Sequence, residues 1–259
     1  MQPFNFPNLS GTLVLIAIAL ALAFGIVWLA GYMPPLLKKR WLWVVAIISA
    51  FLTWTCIAFI QVPLKNWTSE LMLMFWSEQS LQNSIVFSGM PATLISGLVQ
   101  EGAKLLPVVL FWWLFKRRMD AQTGLIAGAV AGAGFGIFEA TWIHNMIFNE
   151  GWTLQAVANN GPLALLGFWE RFFTVGFHIA VSALAGYGLG SGKVWQFYLL
   201  ASMLHALLNY SVILYQARLL STLSVEIYVA AVAILVTAAV LWLRWRRQET
   251  KVNVSPDMT

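Results

Sequence analysis

Ionisable side chains stand inside long apolar stretches of this 259-residue sequence. A charged side chain at the centre of a bilayer costs on the order of 3 kcal/mol or more, so such residues are functional candidates by default. They fall in four consecutive apolar stretches and are Glu101, Lys104, Glu139, Glu170, Arg171, His178 and His205. Carboxylates and imidazoles together suit the activation of water, because glutamate can act as a general base and both groups can ligate a metal ion.

Helical spacing brings some of these side chains onto shared helix faces. Glu101 and Lys104 are three residues apart, and Asn209 follows His205 by four residues, so each pair shares one face. Counted at about 1.5 Å per residue from the ends of the apolar stretches, the polar set lies in the outer half and the middle of the bilayer. We therefore expect one polar site that is reached from the outer face.

Each candidate also has a purely structural explanation. Glu101 and Lys104 could form a structural ion pair, and a buried histidine could be a neutral core residue bonded to a backbone carbonyl group. Asn209 could make an ordinary hydrogen bond between helices. The adjacent Glu170 and Arg171 are predicted to form an ion pair at the outer rim rather than to act in catalysis.

The composition identifies the elements that must position these residues. The chain is 60% hydrophobic and only 10% charged, whereas soluble domains contain about 25% charged residues. This excludes a soluble enzyme, a disordered chain and a nucleic-acid-binding protein, and a single cysteine excludes a disulfide scaffold. We predict an all-α, polytopic bundle of transmembrane helices that forms one domain over residues 1–247, followed by a polar, disordered tail over 248–259.

A transmembrane helix needs about 20 apolar residues, and the sequence contains seven such stretches. They are predicted at 11–32, 41–60, 92–115, 121–145, 164–189, 194–215 and 223–243. In the fourth stretch glycine recurs every four residues from Gly124 to Gly136. Such a stripe lets helices approach closely, and we expect it to serve packing around the polar site.

The basic residues predict the orientation of the bundle. Most of the 15 Lys and Arg residues fall in loops on one side, which is the cytoplasmic side by the positive-inside rule. The N-terminus is therefore predicted outside and the C-terminus inside, in a membrane expected to be the bacterial inner membrane. In the long outer loop predicted at about 61–91, residues 67–82 are expected to form an amphipathic helix, either in the interface or packed on the other outer loops. His144, at the outer end of the fourth stretch, is predicted to be interfacial.

Four short motifs resemble those of PrsW-type intramembrane proteases, which are related to the CAAX and bacteriocin-processing membrane proteases. Residues 100–104 read QEGAK and resemble the family's EExxK element, while 135–139 read FGIFE and match its FxxxE element. His178 resembles the isolated histidine of the family, and the HALLN of residues 205–209 resembles its final HxxxD element. The order of the motifs and their distribution over successive helices also agree. Two positions depart from the family pattern, since Gln100 replaces a glutamate and Asn209 replaces an aspartate.

The resemblance implies hydrolysis of a peptide bond in a membrane-associated protein, within the outer half of the bilayer. Water would be activated by Glu101 or Glu139, and a neighbouring histidine or Asn209 would stabilise the oxyanion. A divalent metal ion, with zinc preferred, would be held by Glu139, His178 and His205. Metal-free chemistry remains an alternative at this point, as does an inactive relative. The expected partners are a membrane-protein substrate and the lipid bilayer, without nucleic acid.

A second class of function uses the same residues without hydrolysis. A membrane scaffold subunit could use the polar cluster for packing, and a small transporter could use it for proton movement. The inverted repeats and broken helices that transporters often show are not evident in the sequence. A dry, tightly packed cluster would favour the scaffold, and room for water beside the cluster would favour the hydrolase.

Overall fold

A computed structural model describes residues 10–116 and 118–252, with side chains up to Arg246. The described part of the chain is helical and contains no β-strand. The long helices are α1 (Gly11–Ala30), α2 (Trp41–Cys56), α6 (Met90–Leu114), α7 (Ala121–Asn149), α9 (Leu166–Gly190), α10 (Val194–Gln216) and α11 (Thr222–Val252). The shorter helices are α3 (Val62–Leu73), α4 (Glu78–Asn83), α5 (Ile85–Ser88) and α8 (Leu154–Asn160). A 3₁₀ turn, Gly161–Leu165, joins α8 to α9.

Seven helical stretches in the described residues are long and apolar enough to cross a membrane. This confirms the predicted all-α transmembrane class and the predicted number of spans. The second stretch differs in length, because α2 continues through a π-helical turn, Ile57–Gln61, directly into α3. The resulting 33-residue helix, Trp41–Leu73, is about 50 Å long, so it exceeds the roughly 30 Å of a hydrocarbon core.

The predicted amphipathic helix at 67–82 is divided in the structure. Its first part belongs to α3, which has no buried residue, and its last part belongs to α4. The turn between them exposes Met74, Phe75 and Trp76. The end of the segment contacts the next outer helix, α5, because Ser88 Oγ donates to the carbonyl oxygen of Leu81 at 2.8 Å. The segment therefore combines an exposed apolar turn with packing on an outer helix.

The glycine stripe of α7 packs directly on α9. A Cβ atom added at Gly128 would lie 2.0 Å from the carbonyl oxygen of Ser182, and one added at Gly124 would lie 2.2 Å from that of Gly186. Real Cβ atoms do not approach a backbone oxygen so closely. The expected packing role of the stripe is confirmed, and it makes α9 the most enclosed of the long helices.

The C-terminal end of the described chain is helical. α11 runs to Val252 and thus enters the segment predicted as a polar tail, while 253–259 lie outside the described residues. The first nine residues and Arg117 also lie outside them. The orientation of the bundle stays a prediction, because it depends on the position of the membrane.

Candidate active site

The site begins where α6 and α10 come into backbone contact. A Cβ atom at Gly97 would lie 2.2 Å from the carbonyl oxygen of Ser202, so α10 can approach only because Gly97 has no side chain. Gly97 is four residues before Glu101, and Ser202 is three residues before His205. This contact therefore brings Glu101 and His205 together, and His205 Nδ1 donates to Glu101 Oε1 at 2.6 Å.

A similar contact between α7 and α9 sets the second half of the site. A Cβ atom at Gly132 would lie 2.3 Å from the carbonyl oxygen of His178. The imidazole of His178 then faces Glu139, whose Oε2 lies 2.8 Å from His178 Nε2. The glycine stripe thus serves both packing and the placement of a site residue.

Lys104 connects the two halves. Its ammonium group donates to Glu101 Oε1 and lies 3.0 Å from His178 Nδ1, with the Phe135 ring centroid 4.9 Å away. An ammonium group can only donate hydrogen bonds, so Nδ1 of His178 accepts and its Nε2–H donates to Glu139. A continuous network therefore runs from His205 through Glu101, Lys104 and His178 to Glu139.

The inner part of this network is closed to solvent. Glu101 is 0% exposed and Lys104 is 1% exposed, and Glu101 Oε2 has no hydrogen-bond partner in the described structure. The outer part borders a cavity of about 340 Å³ lined by Glu139, His178 and His205. The polar side chains in its wall offer hydrogen-bond partners to water.

Three side chains of the network could bind one metal ion. Glu101, His178 and His205 each offer a ligand atom, and these atoms lie within 4.8 Å of one another. One carboxylate with two imidazoles is a ligand set that zinc accepts, and the unpartnered Oε2 of Glu101 is a buried oxygen that an ion would satisfy. The residues therefore fit a divalent ion.

The ligand group differs in one member from the predicted set. The sequence analysis selected Glu139 with the two histidines, whereas the compact group in the described residues contains Glu101 instead. Glu139 is bonded to His178 Nε2 and to Arg171 Nη1, which lies 3.4 Å from its Oε2. A carboxylate on the outer nitrogen of a histidine is the usual arrangement behind a metal-bound imidazole.

The two positions that depart from the family motifs also border the cavity. Gln100 and Asn209 both line it. The amide of Gln100 donates to Gln61 Oε1 at 2.9 Å, while its own Oε1 is buried without a partner in the described structure. Gln61 was assigned to a loop by the sequence analysis. Its contribution comes from the continuation of α2 through the π-helical turn.

Arg171 and Glu170 form the predicted ion pair, and Arg171 also contacts Glu139. Arg171 Nε donates to Glu170 Oε2 at 2.9 Å, and the same guanidinium group contacts Glu139. Both residues line the cavity beside His178. The sequence spacing could have shown that Arg171 lies on the same side of α9 as His178, because it precedes His178 by seven residues, or about two helical turns.

Two further residues have positions that the sequence analysis did not predict. Glu226 was not singled out, although it stands in the seventh predicted span. It is 8% exposed and lines the same cavity. His144, which was predicted to be interfacial, is fully buried within the protein, and its Nδ1 lies 3.3 Å from the carbonyl oxygen of Ala17. It lies outside the network described above.

Comparisons with known proteins agree with the motifs. The sequence model of a family described as PrsW family intramembrane metalloprotease matches residues 38–241. No curated protein matches the chain, and no solved structure does. The matched range contains the whole network and every residue of the cavity lining named above.

Proposed function

Because the chain belongs to the PrsW family of intramembrane metalloproteases, we propose that its buried network hydrolyses a peptide bond of a membrane-protein substrate. The observation that carries this proposal is the convergence of Glu101, His178 and His205 beside a cavity with several polar and charged side chains in its wall. A tightly packed scaffold would leave no such space. The cavity therefore favours the hydrolase over the scaffold.

Glu101, His178 and His205 would hold a divalent ion, for which zinc is the preferred candidate. The bound ion would act as a Lewis acid toward the substrate carbonyl group and make water a better nucleophile. Glu139 would orient the His178 imidazole through its Nε2–H. If His178 bound a metal ion through Nδ1, the ion would use the lone pair that now accepts a hydrogen bond from Lys104. The Lys104 ammonium group would then have to move away from that nitrogen.

Glu139 is the better placed of the two candidate general bases. Its side chain is 16% exposed, whereas that of Glu101 is 0% exposed. Only a carboxylate that borders the cavity can take a proton from water there. Glu139 would accept that proton and pass it to the leaving amine.

The cavity wall offers groups for holding the substrate backbone. Asn209 would donate its amide N–H to the substrate carbonyl oxygen as negative charge develops on it. Gln100 also lines the cavity, and its Oε1, which is unpartnered in the described structure, would accept an N–H of the substrate after rotation of the side-chain amide. Asn209 retains this ability although the family motif has an aspartate at its position.

The test compares single variants of the purified protein in detergent. Activity is measured as cleavage of a proteome-derived peptide library by mass spectrometry, and bound metal is measured by elemental analysis. We expect Glu101→Ala, His178→Ala and His205→Ala to lose both metal and cleavage, and Glu139→Gln to lose cleavage by about 100-fold or more while keeping metal. His144→Asn is the matched control, because this third histidine lies outside the network. Full cleavage by any two of the four site variants would overturn the proposal.

A further inference from the structure

Glu226 is a buried carboxylate without a hydrogen-bond partner at its Oε2 in the described structure. It stands near the start of α11 and is 92% buried, with 8% of its surface exposed. A buried carboxylate that lacks a partner costs several kcal/mol. This cost is avoided when the carboxyl group is protonated or when a ligand supplies a cationic partner.

The only guanidinium group among the described residues of the cavity lining, that of Arg171, directs its hydrogen bonds to other carboxylates than Glu226. Arg171 directs Nε and Nη2 to Glu170 and Nη1 to Glu139. Three carboxylates, Glu139, Glu170 and Glu226, thus line the cavity against one guanidinium group. On the side of Glu170 and Glu226 the carboxyl groups therefore outnumber the cationic groups.

From this arrangement we propose that Glu226 and Glu170 form a subsite for a basic side chain, lysine or arginine, of the substrate. The inference rests on the proposed function, since it assigns substrate selectivity to the same cavity. An ammonium or guanidinium group entering there would pair with the Glu226 carboxylate and favour its ionised form. An acidic side chain would be repelled by both carboxylates.

A short series of contacts connects this subsite to the proposed site. Arg171 is bonded to Glu170 and its Nη1 lies 3.4 Å from Glu139 Oε2, while the same oxygen lies 2.8 Å from His178 Nε2. The basic residue of the substrate is therefore expected within a few residues of the cleaved bond.

The test measures binding separately from cleavage. Three fluorescent peptides share one leucine- and alanine-rich host sequence of about 20 residues and carry lysine, norleucine or glutamate at one central position. Their dissociation constants are measured by fluorescence anisotropy on the full-length protein in nanodiscs. Wild type, Glu226→Gln and Glu170→Gln are compared with Glu78→Gln, whose exposed carboxylate lies on α4 outside the cavity.

We expect wild type and Glu78→Gln to bind the lysine peptide about tenfold or more tightly than the norleucine peptide. The preference falls below about threefold in Glu226→Gln and decreases in Glu170→Gln, which provides a second variant if the first does not fold. Equal binding of the lysine and norleucine peptides by wild type would overturn the subsite, and so would an unchanged preference in both variants. A retained preference in a protein that cleaves no peptide would contradict the proposed hydrolysis and leave the subsite standing.

Discussion

Replacing Gly97 by alanine is expected to separate α6 from α10 and to disable the site without touching a site residue. The new Cβ atom would lie 2.2 Å from the carbonyl oxygen of Ser202, and real Cβ contacts are at least about 3.0 Å. The helices must therefore move apart by about 1 Å at this point. The hydrogen bond from His205 Nδ1 to Glu101, now 2.6 Å, would lengthen beyond a normal hydrogen bond.

The expected size of the effect follows from this displacement. A misplacement of about 1 Å can lower a rate by about 100-fold, and forcing a methyl group into a packed interface costs about 1–3 kcal/mol of stability. Cleavage of the peptide library should fall accordingly in Gly97→Ala, with a lower midpoint of thermal unfolding.

Gly102→Ala is the matched control on the same helix. A Cβ atom at Gly102 would meet its nearest neighbour, Tyr198 Oη, at 3.4 Å, which is ordinary contact. Alanine also favours the helix by about 1 kcal/mol over glycine, so this variant should keep its activity and its stability. Equal activity and equal thermal stability of Gly97→Ala and Gly102→Ala would refute the reasoning about backbone contact.

Three further outcomes are expected. Lys104→Met should lower stability by about 3–5 kcal/mol, because it leaves Glu101 buried without its cation, and chemical unfolding in micelles measures the loss; wild-type stability of this variant would contradict a structural role of the pair. Arg171→Met should reduce cleavage by about tenfold or more without changing the metal content, because it removes a partner of Glu139. A loss of metal in this variant would instead indicate that Arg171 supports the metal-binding residues. Removal of metal by a chelator should abolish cleavage by the wild type, and added zinc should restore it. The metal-dependent mechanism would be refuted if protein that contains no metal by elemental analysis cleaved the library at an undiminished rate.

The sequence predicted the class of fold and the number of spanning helices because hydropathy acts locally. An apolar stretch of about 20 residues is recognisable without knowledge of its neighbours. The same locality identified Glu101, Lys104, Glu139, His178 and His205, since the cost of an ionisable group in a membrane depends on its own apolar surroundings. Glu226, in the seventh predicted span, meets the same criterion, but the sequence analysis did not select it.

Which carboxylate joins the two histidines could not be read from the sequence. Both Glu101 and Glu139 stand in predicted spans, and only the packing of α6 on α10 and of α7 on α9 distinguishes them. That packing depends on contacts at Gly97 and Gly132 with backbone atoms distant in the chain. The sequence thus identified the ionisable residues within the apolar, predicted transmembrane stretches. The tertiary structure decided how they pair, because the approach of two helices is set by both surfaces together.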